Sequence, residues 1–388
     1  MATTAAGGRS FGLGLGARTR REASPWLHLD LVLVGSVVAI AGLGVLMVYS
    51  ATRRRLETSG IDPSYYLNRQ LAFVVLGIVV MAAATFVDYR VFRDRAPVIY
   101  VATVALLLFV LTPLGSASKG TQAWFQVGAF HLQPSEWAKI ALIVCLAAYA
   151  SLHRGDLDSQ RLLVIVGLAA LPMALILQQP DLGTDLVFAA ILLGMMLVAG
   201  ARPRHLLVLV GLGVIGVVAV LQLGLLQQYQ QERLTAFLDP TEDSQRSTYN
   251  LNQSKIAIAN GGVTGRGLFQ GSQTNLSYVP EQHTDFVFTV VGEELGLAGS
   301  ATLLTLFALV VWRTWRAAAL ARDLSGTLIC VGVLAMFVFQ IFQNVGMTMG
   351  IMPITGIPLP FMSYGGSSTL AAFAAVGLVL NVHMRRFS

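Results

Sequence analysis

Ionisable residues concentrate in one stretch, Tyr278-Val-Pro-Glu-Gln-His-Thr-Asp-Phe-Val-Phe-Thr-Val-Val-Gly-Glu-Glu-Leu-Gly-Leu297, of a chain that otherwise has few of them. Carboxylates and imidazole are the side chains that most often move protons in catalysis, so chemistry is expected here. Pro280 ends any preceding element, Thr284 is placed to cap a helix, and Asp285 then opens that helix, which runs to Gly296. A carboxylate at the positive end of a helix dipole is favoured in its ionised form, so Asp285 is expected to be an anion. Glu293 and Glu294 follow it by eight and nine residues. On one helix that is about 12–14 Å, outside the range of about 5–9.5 Å for paired glycosidase carboxylates. A two-carboxylate hydrolase is therefore disfavoured. One base suffices for sugar transfer from a diphosphate donor, in which the base takes the proton of the attacking hydroxyl and cations offset the departing charge. Arg69, Lys119, Lys139, Arg233, Arg246, Lys255 and Arg266 are available as cations. For each of them singly, a solvated or lipid-headgroup role is an equal alternative.

The elements that must position these groups are membrane helices. Charged residues are 12% of 388, apolar residues 55%, and mean hydropathy is +0.67, far from a soluble domain. Apolar runs long enough to span a bilayer are Leu29–Tyr49, Gln70–Val87, Ala96–Leu114, Ser135–Ser151, Leu162–Leu177, Gly183–Gly200, Arg204–Leu226, Ala298–Trp315, Leu324–Val345 and Tyr364–Val382. The fold class expected is all-α, a polytopic protein of ten transmembrane helices with a long extracytoplasmic loop between the seventh and eighth. With both termini cytoplasmic, 16 Lys and Arg residues fall on the inner side and 5 in the short outer loops, which is the sense of the positive-inside rule. Residues 1–28 form a basic tail, expected to be disordered and not a removed signal peptide. Residues 29–384 form one membrane domain, of which 227–297 is the outer loop. That loop is too long for a simple connection. Asn250–Asn260 is expected to be a short helix that stops at Gly261-Gly262. The ninth connection, Gly350–Gly366, is apolar but broken by prolines and glycines, and is expected to be an irregular wall lining a cavity on the outer side.

Other polar residues need an account. Glu136 and Lys139 lie three apart on one face of the fourth span, either as a structural ion pair or as a site lining a cavity. Asp181 and Asp185 flank the start of the sixth span, where helix capping is an equal alternative to a functional role. Cys145 and Cys330 fall inside spans, so no disulfide framework or thiolate metal site is supported. There is no P-loop and no H-E-x-x-H motif; neither nucleotide nor haem is expected. The net charge of +6 points to anionic membrane lipids, not nucleic acid.

Four segments in order resemble the SEDS (shape, elongation, division and sporulation) family of bacterial cell-wall polymerases: Gln133-Pro-Ser-Glu-Trp-Ala-Lys139, Gln179-Pro-Asp-Leu-Gly-Thr184, Pro280–Phe288 followed by Glu293-Glu-Leu-Gly296, and Gly356–Ser368. Phe269–Leu276 and Asn252–Ile258 resemble its rod-shape (RodA) branch more than its division (FtsW) branch; Gly271-Ser-Gln-Thr, where Gly-Thr-Gln-Ser is expected, is a departure. The resemblance implies a peptidoglycan glycosyltransferase of the bacterial cytoplasmic membrane, polymerising lipid II at the outer face during cell elongation. It implies Asp285 as the essential acidic residue, with Glu136, Lys139, Arg69, Arg233, Glu281, His283, Thr284, Asp181 and Ser363 binding substrate. It also implies as partners a class B penicillin-binding protein (a single-span transpeptidase) and other elongation machinery proteins. Asp285 would act as base or, alternatively, ligate a divalent cation, Mg or Mn; His283 is a rival base that could instead orient backbone. A lipid II flippase or other secondary transporter is the alternative of another class, and a non-catalytic scaffold a third.

Overall fold

The computed structural model describes residues 28–387 except 119–120, 129, 154–157, 223–229, 232, 234–236 and 238–245. Apart from His28, the expected N-terminal tail therefore lies outside the described residues, as does Lys119. The helices in chain order are α1 (Leu31–Thr58), α2 (Tyr65–Phe86), α3 (Tyr89–Asp94), α4 (Ala96–Val110), α5 (Pro134–Leu152), α6 (Ser159–Leu177), α7 (Leu182–Val198), α8 (Pro203–Gln222), α9 (Arg246–Gly261), α10 (Ser272–Asn275), α11 (Val287–Ala319), α12 (Leu324–Met349) and α13 (Gly366–Met384). Each of the ten apolar runs overlaps one of them, and residues 223–226 of the seventh lie outside the described residues. Among the described residues α1, α2, α5, α6, α11, α12 and α13 are long and apolar enough to cross a membrane, and α4, α7 and α8 are apolar but shorter.

The all-α expectation needs correction. Between α4 and α5 lies a three-stranded antiparallel sheet of β1 (Ser116–Ser118), β2 (Thr121–Val127) and β3 (Phe130–Leu132) in the order β1-β2-β3. Pairing its short strands satisfies backbone groups of a connection that is not helical.

Helix α13 is the most fully buried of the long apolar helices. It lies closely against α2: a Cβ on Gly377 would come within 2.6 Å of the Met81 carbonyl oxygen, so only glycine permits this approach. Asn381 on α13 donates to the carbonyls of Ala84, at 2.7 Å, and Val87, closing the end of α2.

Helix α11 is two helices. Gly296 (φ 65°, ψ −159°) breaks it, where the sequence places the end of the helix carrying the acidic motif. The carbonyls of Glu293 and Glu294 before the break accept the N–H groups of Arg266 and Gly267, each at 3.0 Å. Beyond it, Leu297 and Ala298 donate to Gly262 and Val263 at 2.9 and 3.0 Å. The 262–267 turn thus takes up the bonds that the break frees. Helix α9 covers the expected Asn250–Asn260 helix and is longer, and Gly262 (φ 57°) follows its end as the glycine pair predicts.

Candidate active site

Glu281 adopts a left-handed conformation (φ 56°), and its carbonyl accepts the N–H groups of Thr284 and Asp285 at 3.2 Å and of Phe286 at 3.3 Å. The Thr284 hydroxyl points back to the same residue, 3.3 Å from its carbonyl and 3.4 Å from its carboxylate. Helix α11 begins only at Val287, with Phe286 at the cap position and no side-chain cap. The expected helix start at Asp285, capped by Thr284, is therefore corrected. The tight turn that Glu281 closes uses those residues first.

Three successive carbonyls of this turn are then held by sequence-distant groups. His283 accepts the Tyr364 N–H at 2.8 Å, Thr284 the Ser363 hydroxyl at 2.5 Å, and Asp285 the Asn344 side-chain amide at 2.9 Å. Asn344 also donates to Ile357 at 2.8 Å, and Ser363 accepts from the Leu359 N–H at 2.9 Å. The 281–286 turn is laced to the irregular 351–365 segment and to α12. That segment is ordered by these bonds, as an apolar non-helical stretch beside a membrane must be.

The Asp285 carboxylate faces Gly356. A Cβ built there would lie 3.3 Å from Asp285 Oδ2 and 3.4 Å from Arg233 Nη1. Carboxylate and guanidinium therefore flank one point on the wall, although 52 residues separate them in the chain.

Residues 358–361 and Ser363 also line a narrow, partly open cleft together with Glu136, Lys139, Gln340 and Thr369. Lys139 Nζ and Glu136 Oε1 pair at 2.8 Å, and the two residues are 2% and 4% exposed. So deep an ion pair is costly to desolvate and is kept only where its geometry is good. Ser363 belongs both to this cleft and to the bonds that hold the Asp285 turn.

Residues 31–387 match the family model described as cell cycle protein, which covers FtsW, RodA and SpoVE. The chain belongs to this family. It is 38% identical to stage V sporulation protein E of Bacillus subtilis over 94% of this chain and 98% of that protein. It is 38% identical to a probable peptidoglycan glycosyltransferase FtsW of Geobacter metallireducens (92% and 95%), and 34% to the peptidoglycan glycosyltransferase MrdB of Escherichia coli K12 (93% and 95%). Among solved structures, a chain from a peptidoglycan synthase complex that coordinates polymerization and crosslinking superposes with a TM-score of 0.80 at 34% identity, covering 94% of this chain and 100% of that one. The rod shape determining protein RodA of Thermus thermophilus superposes with a TM-score of 0.70 at 31% identity, covering 94% and 99%.

In this FtsW/RodA/SpoVE chain the remaining residues named from sequence are spread around the turn. Arg69 donates to the Tyr65 hydroxyl at 2.8 Å and lies over that ring at 5.0 Å. Asp181 caps α7, accepting from the Thr184 N–H at 3.0 Å and hydroxyl at 2.7 Å, and takes Gln133 Nε2 at 3.4 Å. Glu293 is buried and accepts from the N–H groups of Gln273 and Thr274 and the hydroxyls of Ser272 and Thr274, so it caps α10 and has no place near Asp285. Sequence reading missed Asn344 and Gly356. Asn344 had a signal: with Gln340 and Gln343 it forms a polar strip on an otherwise apolar helix. Gly356 had none.

Among the described residues no three His, Cys, Asp or Glu side chains converge as metal ligands. One carboxylate completed by substrate phosphates is, however, a common way to hold Mg²⁺. Asp285 is the residue that would hold a divalent cation arriving with a diphosphate.

Proposed function

We propose that this chain polymerises lipid II into glycan strands at the outer face of the cytoplasmic membrane, with Asp285 as the base. The coarser statement, peptidoglycan glycosyltransferase of the FtsW/RodA type, rests on the named activities of its relatives. The observation that carries the finer one is a carboxylate whose backbone is held on both sides and whose oxygen shares one wall with a guanidinium. In the reaction Asp285 takes the proton of the acceptor sugar's 4-hydroxyl as its oxygen attacks the donor's anomeric carbon. The bond from that carbon to the diphosphate breaks with inversion, and the electron pair leaves on the diphosphate oxygen. Arg233 is placed to offset that charge. Lys139 is less available, since Glu136 already shares its charge. A divalent cation on the diphosphate would supply further electrostatic stabilisation.

The outer location follows from the charge asymmetry of the tails and short loops. A class B penicillin-binding transpeptidase as partner is supported by the likeness to a chain from a complex that couples polymerization to crosslinking. The elongation role rests on the resemblance of residues 252–258 and 269–276 to the rod-shape branch. Division or sporulation is the second reading, favoured by 38% identity to the FtsW and sporulation relatives against 34% to MrdB. Rescue of a rod-shape-deficient or a division-deficient host decides between them.

The activity is tested by incubating labelled lipid II with purified protein, with and without its transpeptidase, comparing wild type with Asp285→Asn and resolving products by length. Loss of glycan chains on substitution supports the reading. Chains undiminished by Asp285→Asn overturn both the base and the metal-ligand assignments; no chains from either form, with lipid II carried across liposomes, would favour transport.

A further inference from the structure

The turn that carries Asp285 is bordered by an aromatic ladder that the catalytic reading does not use. Tyr66, in the first turn of α2, stands 4.9 Å from Tyr364 at 87° and 5.0 Å from His283 at 50°. Tyr65 meets Tyr66 edge-on at 5.2 Å, and Phe73 continues the ladder beyond Tyr364 at 6.1 Å. Tyr65 is 43% exposed, and Tyr66, Tyr364 and His283 are half-buried. Arg69 donates to the Tyr65 hydroxyl at the edge of the ladder.

Tyrosines at a membrane surface commonly form a belt against lipid headgroups. These do not have that arrangement. Their rings pack on one another and on the backbone of the acidic turn, and the Tyr364 N–H is bonded to His283, two residues from Asp285. A pyranose ring presents an apolar C–H face rimmed by hydroxyls and amides. Aromatic rings bordered by phenol, imidazole and guanidinium donors match both parts of it.

We propose that Tyr65, Tyr66 and Tyr364, with His283 and Arg69 at the rim, form a saccharide subsite that holds β-1,4-linked N-acetylated sugar rings next to Asp285. This rests on the glycosyltransferase reading above and names a place where its glycan is held. Because the ladder is bonded directly to the turn, a sugar seated on it is oriented with respect to the base.

The test uses the full-length protein in phosphatidylglycerol nanodiscs and a tetramer of β-1,4-linked N-acetylglucosamine, titrated by saturation-transfer NMR. Tyr65→Leu and Tyr66→Leu should each weaken tetramer binding roughly fivefold, the scale of a lost aromatic contact, while Tyr65→Phe and Tyr66→Phe stay within about twofold. Thermal unfolding of each variant separates lost binding from lost fold, and exposed Tyr65 tolerates replacement best. No binding by wild type, or equal binding by the leucine variants, overturns the subsite and leaves the catalytic reading intact. Leucine variants that lose thermal stability in the bilayer but not tetramer affinity would assign the ladder to lipid. Polymerisation surviving in Asp285→Asn would instead sink the catalytic reading, a result the tetramer titration does not share.

Discussion

Gly356→Ala isolates the meeting of Asp285 and Arg233. Gly356 has φ +75°, and the added methyl would sit 3.3 Å from Asp285 Oδ2 and 3.4 Å from Arg233 Nη1. Two costs follow. The left-handed backbone costs an L-residue about 1–2 kcal/mol, and both polar groups must give way by a fraction of an ångström. Misplacing a reacting group by about 1 Å costs on the order of a hundredfold in rate. A shift of a few tenths should cost on the order of tenfold. Gly60→Ala is the matched control, because Gly60 has φ +71° with nothing within 4 Å of its Cβ; it carries the backbone cost alone. The assay is the lipid II polymerisation rate per folded protein, with thermal unfolding of both variants. Gly356→Ala should unfold about as easily as Gly60→Ala yet turn over about tenfold more slowly. Equal rates for the two would refute the argument that the wall at Gly356 sets the carboxylate's position.

Three further outcomes follow from buried polar groups. Lys139→Met or Glu136→Leu, each leaving one buried charge unpaired, should destabilise the protein by about 3–5 kcal/mol, and the double replacement by less than either alone, as read by thermal unfolding. Asn344→Leu withdraws the donor from two carbonyls and should cost about 1–3 kcal/mol for each left unsatisfied, together with polymerisation activity; full activity at lowered stability would show that the bond to Asp285 does not position it. Glu293→Gln weakens a carboxylate that takes four donors, at about 1.5–3 kcal/mol for a charged hydrogen bond, and should speed protease cleavage between residues 262 and 278.

The helices were legible because lipid demands continuous apolar runs, and among the described residues every run overlaps a helix. The sheet at 116–132 was not, since strands of three to seven residues carry too short an alternation to stand out in a connection. At the site, the break at Gly296 and the irregular wall at 350–365 could be read from glycine and proline. The start of α11 was placed two residues early because Thr284-Asp285 has the composition of a cap. What decided otherwise is the left-handed Glu281, and nothing in its residue type announces that conformation. The approach of Asp285 and Arg233 to one point at Gly356 was beyond a local reading, because the two residues are 52 positions apart in the chain.

These bonds divide the work at Asp285. Its N–H is taken by Glu281 and its carbonyl by Asn344, while the preceding two carbonyls are taken by Ser363 and Tyr364. The backbone is thus fixed by four contacts that do not touch the carboxylate. Only the carboxylate faces the wall at Gly356 and the guanidinium of Arg233. For the base proposed above, which would accept a proton and release it in each cycle, this separation is an advantage. The backbone bonds do not depend on the state of the carboxylate, so the turn stays in place when the side chain is protonated. The half-helix Val287–Leu295 is held apart from the carboxylate in the same way: Glu293 and the 262–267 turn anchor its far end, Thr289 bonds Ser254 at 2.7 Å, and most of its apolar side chains are buried in the core.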